Sequence, residues 1–120
     1  MSTRSNIILW DPDSKKYKSV YCHSDGYLSY NGRILCEYYD TYEKVAELID
    51  LGDLSYLAET PDQTRSYHRW RGEDKNIRVS NNLSGHFTEE YGYLFKDGAW
   101  TYTDHGRSWE PLTKEVCEKD

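Results

Sequence analysis

The chain has 120 residues, a formal net charge of −6 and a 37% hydrophobic share, with 12 tyrosines supplying most of its aromatic content. That length suits one domain with one real core. No apolar stretch approaches the roughly 20 residues of a membrane span, and three widely spaced cysteines, Cys22, Cys36 and Cys117, do not make a disulfide framework.

The N-terminal MSTRSNIILW lacks the long apolar segment of a signal peptide, so the expected compartment is the cytoplasm. Residues 5–10 (SNIILW) are apolar and β-branched, residues 11–14 (DPDS) carry turn chemistry, and residues 16–22 (KYKSVYC) alternate. The pattern predicts strand, hairpin, strand. Asp25-Gly26 then breaks the second strand. Across residues 27–39 the pairs Tyr27/Leu28, Ile34/Leu35 and Tyr38/Tyr39 share one helical face. Asp25 is placed to cap that helix. Gly32 lies inside it, at a cost of about 1 kcal/mol relative to Ala, which a close helix–sheet contact would explain.

A second helix is clearer. Asp40 and Glu43 have the spacing of a capping box. Tyr42, Val45, Leu48 and Ile49 form an apolar face, and Gly52 supplies a left-handed stop. Residues 54–57 are a short apolar run, residues 60–76 read as a polar loop, and residues 77–79 as a short strand. Residues 91–95 (YGYLF) and 99–103 (AWTYT) flank Lys96-Asp97-Gly98, a hairpin signal because Asp-Gly suits the turn. A further turn falls at 104–107, and residues 108–112 add a strand stopped at Pro111. Residues 113–120 read as a polar tail, one helical turn long, that frays beyond a single domain of residues 1–112. The expected fold class is α+β: an antiparallel β-sheet with two helices packed on one face.

The polar run at His23–Asp25 invites a catalytic or metal reading, and the spacing supports neither. A metal site needs three or four convergent ligands, and no CxxC or HxxxH pair exists. A nucleophile needs a base beside it; Cys22 and His23 are neighbours that point to opposite faces of a strand, and nothing in the spacing favours pairing Cys22 or Cys36 with His23 or with the distant His68, His86 or His105. No catalytic residue, metal or cofactor is assigned, and the chain is read as not an enzyme.

Charge is more informative. Residues 37–62 hold eight acids and one base, Lys44. Glu43, Glu47 and Asp50 fall at i, i+4 and i+7 on the outer face of the second helix. They span about 10 Å at 1.5 Å rise per residue, close to the charge density of one nucleic-acid strand with a phosphate about every 3.4 Å. Glu37, Asp40 and Asp53 add to it if the fold gathers them. A solvated helix face is the plain alternative. Yet acids on such faces are usually balanced by Lys four residues on, and only Lys44 is present. The missing cations point to a basic partner.

A second candidate is TRSYHRWRGEDK at residues 64–75. Arg65, Arg69 and Arg71 interleave with Tyr67, His68 and Trp70. Arginine and aromatic side chains together can pair a phosphate and stack a base. Alternatively, Glu73 and Asp74 neutralise these arginines internally, or Arg and Trp serve as interface anchors.

STRS near the start, YCHSDGY, ILCEYYDTYEKVAELIDLGDLSYL, RGED and YLFKDGAWTY with a later Trp together resemble a group of small phage and prophage accessory proteins. The resemblance covers most of the chain. Ser24 stands where that group carries Trp, which puts the role of that aromatic in question here. The group supplies no catalytic residues to carry over. The resemblance implies a phage-encoded protein acting in the cytoplasm of a bacterial host, where such proteins often block host defence, including CRISPR effectors. The expectation is a non-enzymatic inhibitor that binds a basic or nucleic-acid-binding host protein through Glu37, Asp40, Glu43, Glu47, Asp50 and Asp53. The alternative is a sponge holding a signalling nucleotide through Arg65, Arg69, Trp70 and Arg71. Neither a membrane nor direct nucleic-acid binding is expected.

Overall fold

The computed structural model describes residues 3–105 and 108–118. The expected turn at 104–107 and the end of the 113–120 tail lie partly outside them. In chain order the described elements are β1 (Ser5–Asp11), β2 (Lys16–Cys22), α1 (Arg33–Tyr38), α2 (Tyr42–Asp50), β3 (Leu54–Tyr56), β4 (Arg65–Ser66), α3 (Tyr67–Arg71), β5 (Arg78–Ser80), β6 (Tyr91–Lys96), β7 (Ala99–Asp104), β8 (Glu110–Pro111) and α4 (Lys114–Glu118).

Two hairpins make the middle of the sheet. In the first, the Asp11 carboxylate accepts from the Asp13 backbone N–H at 3.0 Å and the Ser14 hydroxyl at 2.9 Å, which closes the β1–β2 turn. In the second, Asp97 and Gly98 both have positive φ, 54° and 79°, as a twist-matched two-residue turn requires. The full order is β4-β3-β2-β1-β6-β7-β8, with β5 also beside β2. The α+β class holds, but the sheet is mixed: β1 runs parallel to β6 and β2 parallel to β3. The expectation of a purely antiparallel sheet is therefore corrected. Parallel neighbours need distant segments to meet, and no local turn signal announces that.

Register sorts the core. Ile7, Leu9, Val20, Cys22, Tyr93, Phe95 and Trp100 share one parity and join Leu28, Ile34, Leu35, Val45, Leu48 and Ile49 in one cluster. The opposite parity is also covered. Asn6 accepts from the Thr88 and Glu89 backbone N–H groups at 2.8 and 3.0 Å, and a Cβ on Gly92 would lie 2.8 Å from Phe87. Burial on both faces explains why the 7–10 run of β1 (IILW) is apolar at every position and does not alternate.

The helices depart from expectation in their details. The 27–39 helix is two pieces, a π-type turn at Leu28–Gly32 followed by α1. Gly32 does face the sheet, and a Cβ there would make ordinary van der Waals contact with Cys117, Leu28 and Tyr93 at 3.4 Å. Asp25 is not the cap; it has φ 56°, its carboxylate accepts from the Tyr27 hydroxyl at 3.3 Å, and its backbone carbonyl takes the Asn31 N–H at 3.2 Å. The cap of α2 falls on Thr41 rather than Asp40, with the Thr41 hydroxyl accepting from Lys44 N–H at 3.3 Å. Gly52 is the left-handed stop, with φ 85°. α4 is docked, with Cys117 buried in the core. The 60–76 stretch hides α3, capped by the Ser66 hydroxyl and ended by left-handed Gly72.

His86 pins the second face. It is buried, with Nδ1 bonded to the Ser19 hydroxyl at 2.6 Å and Nε2 to the Ser80 hydroxyl at 2.9 Å. Burial lowers its pKa below the ordinary 6.5, and the Arg78 charge acts in the same direction. The unfolded chain therefore takes up this proton first as pH falls. The stabilisation is complete above about pH 6.5 and is lost as pH falls through the folded-state value. We expect the urea midpoint to drop between about pH 7.5 and about pH 5.5, and to drop less in His86→Gln. Identical pH profiles for the two chains would contradict this.

Candidate functional site

α2 packs through Val45 and Leu48, both fully buried, and Ile49. Each such side chain contributes about 1.5–3 kcal/mol of burial. That fixes the roll of the helix and turns its acids outward. Glu37 on α1, Asp40 before α2, and Glu43, Glu47 and Asp50 on α2 are all exposed. Asp40 is held by Lys44 at 3.1 Å, and Asp50 meets Lys75 at 3.9 Å while its side chain stays 80% exposed. Exposed pairs of this kind contribute only about 0–1 kcal/mol. Glu43 and Glu47 have no ion-pair partner among the described residues. The acidic face is thus partly neutralised at its two ends and bare in the middle.

Asp53 does not belong to that surface. It is buried; its carboxylate accepts from the Tyr21 backbone N–H at 2.8 Å and from the Arg78 guanidinium at 3.2 Å. Its backbone N–H donates to the Lys75 carbonyl at 2.8 Å, and its carbonyl accepts from Tyr67 N–H at 3.1 Å. Asp53 is a clamp joining β2, β5 and α3, and its expected role in partner binding is corrected. Asp53→Ala strands the Tyr21 N–H and the Arg78 charge. We expect a loss of about 2 kcal/mol in urea unfolding, with faster amide exchange in β5. A change within experimental error would contradict the clamp.

The clamp builds a feature the sequence reading missed. It holds β5 beside α2, leaving an open groove of about 320 Å³ lined by Leu9, Lys18, Tyr42, Ala46, Ile49, Asp50, Ile77 and Val79. Val79 is 50% exposed there. The available signal was an apolar Ile77 and Val79 in an otherwise polar stretch.

The arginine–aromatic loop is gathered, and most of its cations are engaged. Arg65 lies over the Tyr56 and Trp70 rings at 5.3 and 4.5 Å, and Arg71 lies over Trp70 and Tyr67 at 4.6 and 4.9 Å. Arg71 also pairs with Glu73 at 2.9 Å. Arg69 donates to the carbonyls of Pro61 and Thr64. A shallow cavity of about 210 Å³ has Tyr56, Asp62, Gln63, Arg65, Arg69 and Trp70 in its lining.

Cys22 and His23 are each engaged elsewhere: the Cys22 thiol donates to the Ser24 carbonyl at 3.6 Å and accepts from the Asn31 side-chain amide at 3.4 Å. The Cys22 thiol is fully buried and pushed up to about 11 by that burial, so it stays protonated at neutral pH. His23 is engaged at Nδ1 by the Tyr21 hydroxyl. Among the described residues no group of three His, Cys, Asp or Glu is placed to hold a metal ion. No helix among them is long and apolar enough to cross a membrane. Comparison with protein-family models, curated proteins and solved structures finds no match to this chain.

Proposed function

We propose that this chain is a non-enzymatic binding protein that presents the outer face of α2 to a basic surface on another protein. The observation carrying this reading is the bare pair Glu43 and Glu47, exposed on consecutive turns beside Asp50, which is also exposed. An anionic face of that kind steers encounter with a cationic groove and fixes its register. Lys44 and Lys75 temper the charge at either end without reaching the middle. The resemblance to phage accessory proteins supplies the partner class: a host defence protein that handles nucleic acid, such as a CRISPR effector, in the bacterial cytoplasm. A groove built for a phosphate backbone is basic, and α2 would occupy it. Reversing Glu43, Glu47 and Asp50 to Lys tests this directly. Binding should be lost while circular dichroism is unchanged.

A second reading is favoured by one observation, the meeting of Arg65, Arg69 and Trp70 around a single cavity. It makes the chain a sponge for a signalling nucleotide. A ligand there has to displace cation–π contacts worth about 0.5–1 kcal/mol each at exposed sites. Calorimetry against cyclic nucleotides should then give heat that Trp70→Ala removes. No heat from any of them eliminates this reading.

A further inference from the structure

We propose that the groove between α2 and β5 receives an extended segment of the partner protein, which pairs with the open edge of β5 and places Lys or Arg side chains against α2. This rests on the reading of α2 as the partner-facing element and specifies how the partner is held. Three independent features meet at this place.

The first is a strand edge. β5 pairs with β2 alone, through Tyr17↔Ser80, Lys18↔Val79 and Ser19↔Arg78. Its other edge pairs no strand among the described residues. An unpaired edge offers a row of main-chain donors and acceptors to an incoming chain.

The second is the groove itself. Val79 has the same parity as Lys18 and Leu9, so it points to the side of the sheet where α2 lies. A strand added to β5 therefore directs every second side chain into the groove, against Ala46 and Tyr42. Lys18 on the floor is already held by Asp11 at 3.4 Å.

The third is charge. At about 100° per residue, Ala46 is followed round the helix by Asp50, Glu43 and Glu47 in that order. The acids therefore rim the apolar wall on its outer side. A Lys or Arg entering here lays its methylene stem on Ala46, Tyr42 and Val79 while its head reaches the carboxylates. A hydrophobic side chain would fill the groove and leave the rim unused. A second copy of this chain fits poorly, because pairing β5 with itself brings two acidic α2 faces together.

The probe is a short synthetic peptide alternating Lys and Thr, with a Glu/Thr counterpart and a version whose backbone amides are N-methylated. Binding is followed through amide resonances of the protein. The Lys/Thr peptide should shift Arg78, Val79, Ser80 and Ala46 at millimolar concentration, and the Glu/Thr peptide should not. N-methylation should weaken binding at least about tenfold, as the loss of a few main-chain hydrogen bonds requires. Equal affinity for the methylated peptide overturns strand pairing and leaves the acidic-face reading intact. Unchanged affinity of the Lys/Thr peptide for the Glu43→Lys, Glu47→Lys, Asp50→Lys chain sinks the acidic-face reading and leaves the edge intact. Shifts confined to residues 64–71, or no shift at all, overturn both. Concentration-dependent shifts in β5 without peptide assign the edge to a second copy and overturn the proposal.

Discussion

Gly52→Ala unfolds at markedly lower urea, a loss of about 3 kcal/mol or more. Two costs combine. Gly52 has φ 85°, a left-handed conformation that costs a residue with a Cβ about 1–2 kcal/mol. The added Cβ would also lie 2.6 Å from the Lys75 Cα and 2.7 Å from its carbonyl oxygen, and a backbone cannot give way as a flexible side-chain end does. Gly98→Ala is the internal control. Its φ is 79°, with nothing within 4 Å of the new Cβ, so only the conformational cost applies. The difference between the variants isolates the packing of α2's end against the chain entering β5. Equal losses would mean that Lys75 does not lie against Gly52. Because that contact sets the spacing of α2 and β5, amides of Arg78–Ser80 should exchange faster in Gly52→Ala.

If α2 docks on a basic protein as proposed, the Glu43→Lys, Glu47→Lys, Asp50→Lys chain should lose at least about a hundredfold in affinity for that protein, since replacing attraction by like-charge contact costs several kcal/mol. The fold should survive. All three side chains are exposed, and the core contacts of α2 belong to Val45, Leu48 and Ile49. The structural penalty is about 1 kcal/mol, from an acid lost in the first turn and from new like-charge neighbours around Lys44. The corresponding Gln variants remove attraction without adding repulsion and should fall between the extremes. Raising salt should weaken wild-type binding more than that of the Gln variants. A triple reversal that leaves affinity within about threefold means that α2 does not carry the contact.

What could be read from the sequence was local. The hairpin around Asp97-Gly98 was legible because only a few residue types accept two consecutive positive φ values. α2 was legible because its apolar residues recur at helical spacing between a cap and a glycine. The pairing of β1 with β6 was not, since it joins distant segments through register alone. α3 was missed although Ser66 and Gly72 mark its ends, because it buries no residue and so shows no apolar period. Asp53 was misassigned for a related reason: it continues an acidic run in sequence, while the chain turns inward at Gly52 and places its carboxylate between β2 and β5. The candidate site was therefore half visible. Its charged rim lies on one helix, but its apolar wall needs Leu9, Ala46 and Val79 brought together from three elements.

Hydrogen exchange on the full chain, with and without the proposed partner captured from a bacterial lysate, tests the central assignment most directly. If the partner lies along α2 and pairs with β5, protection rises together in residues 42–50 and 77–80. Protection centred on residues 64–71, with those two segments unchanged, would contradict it.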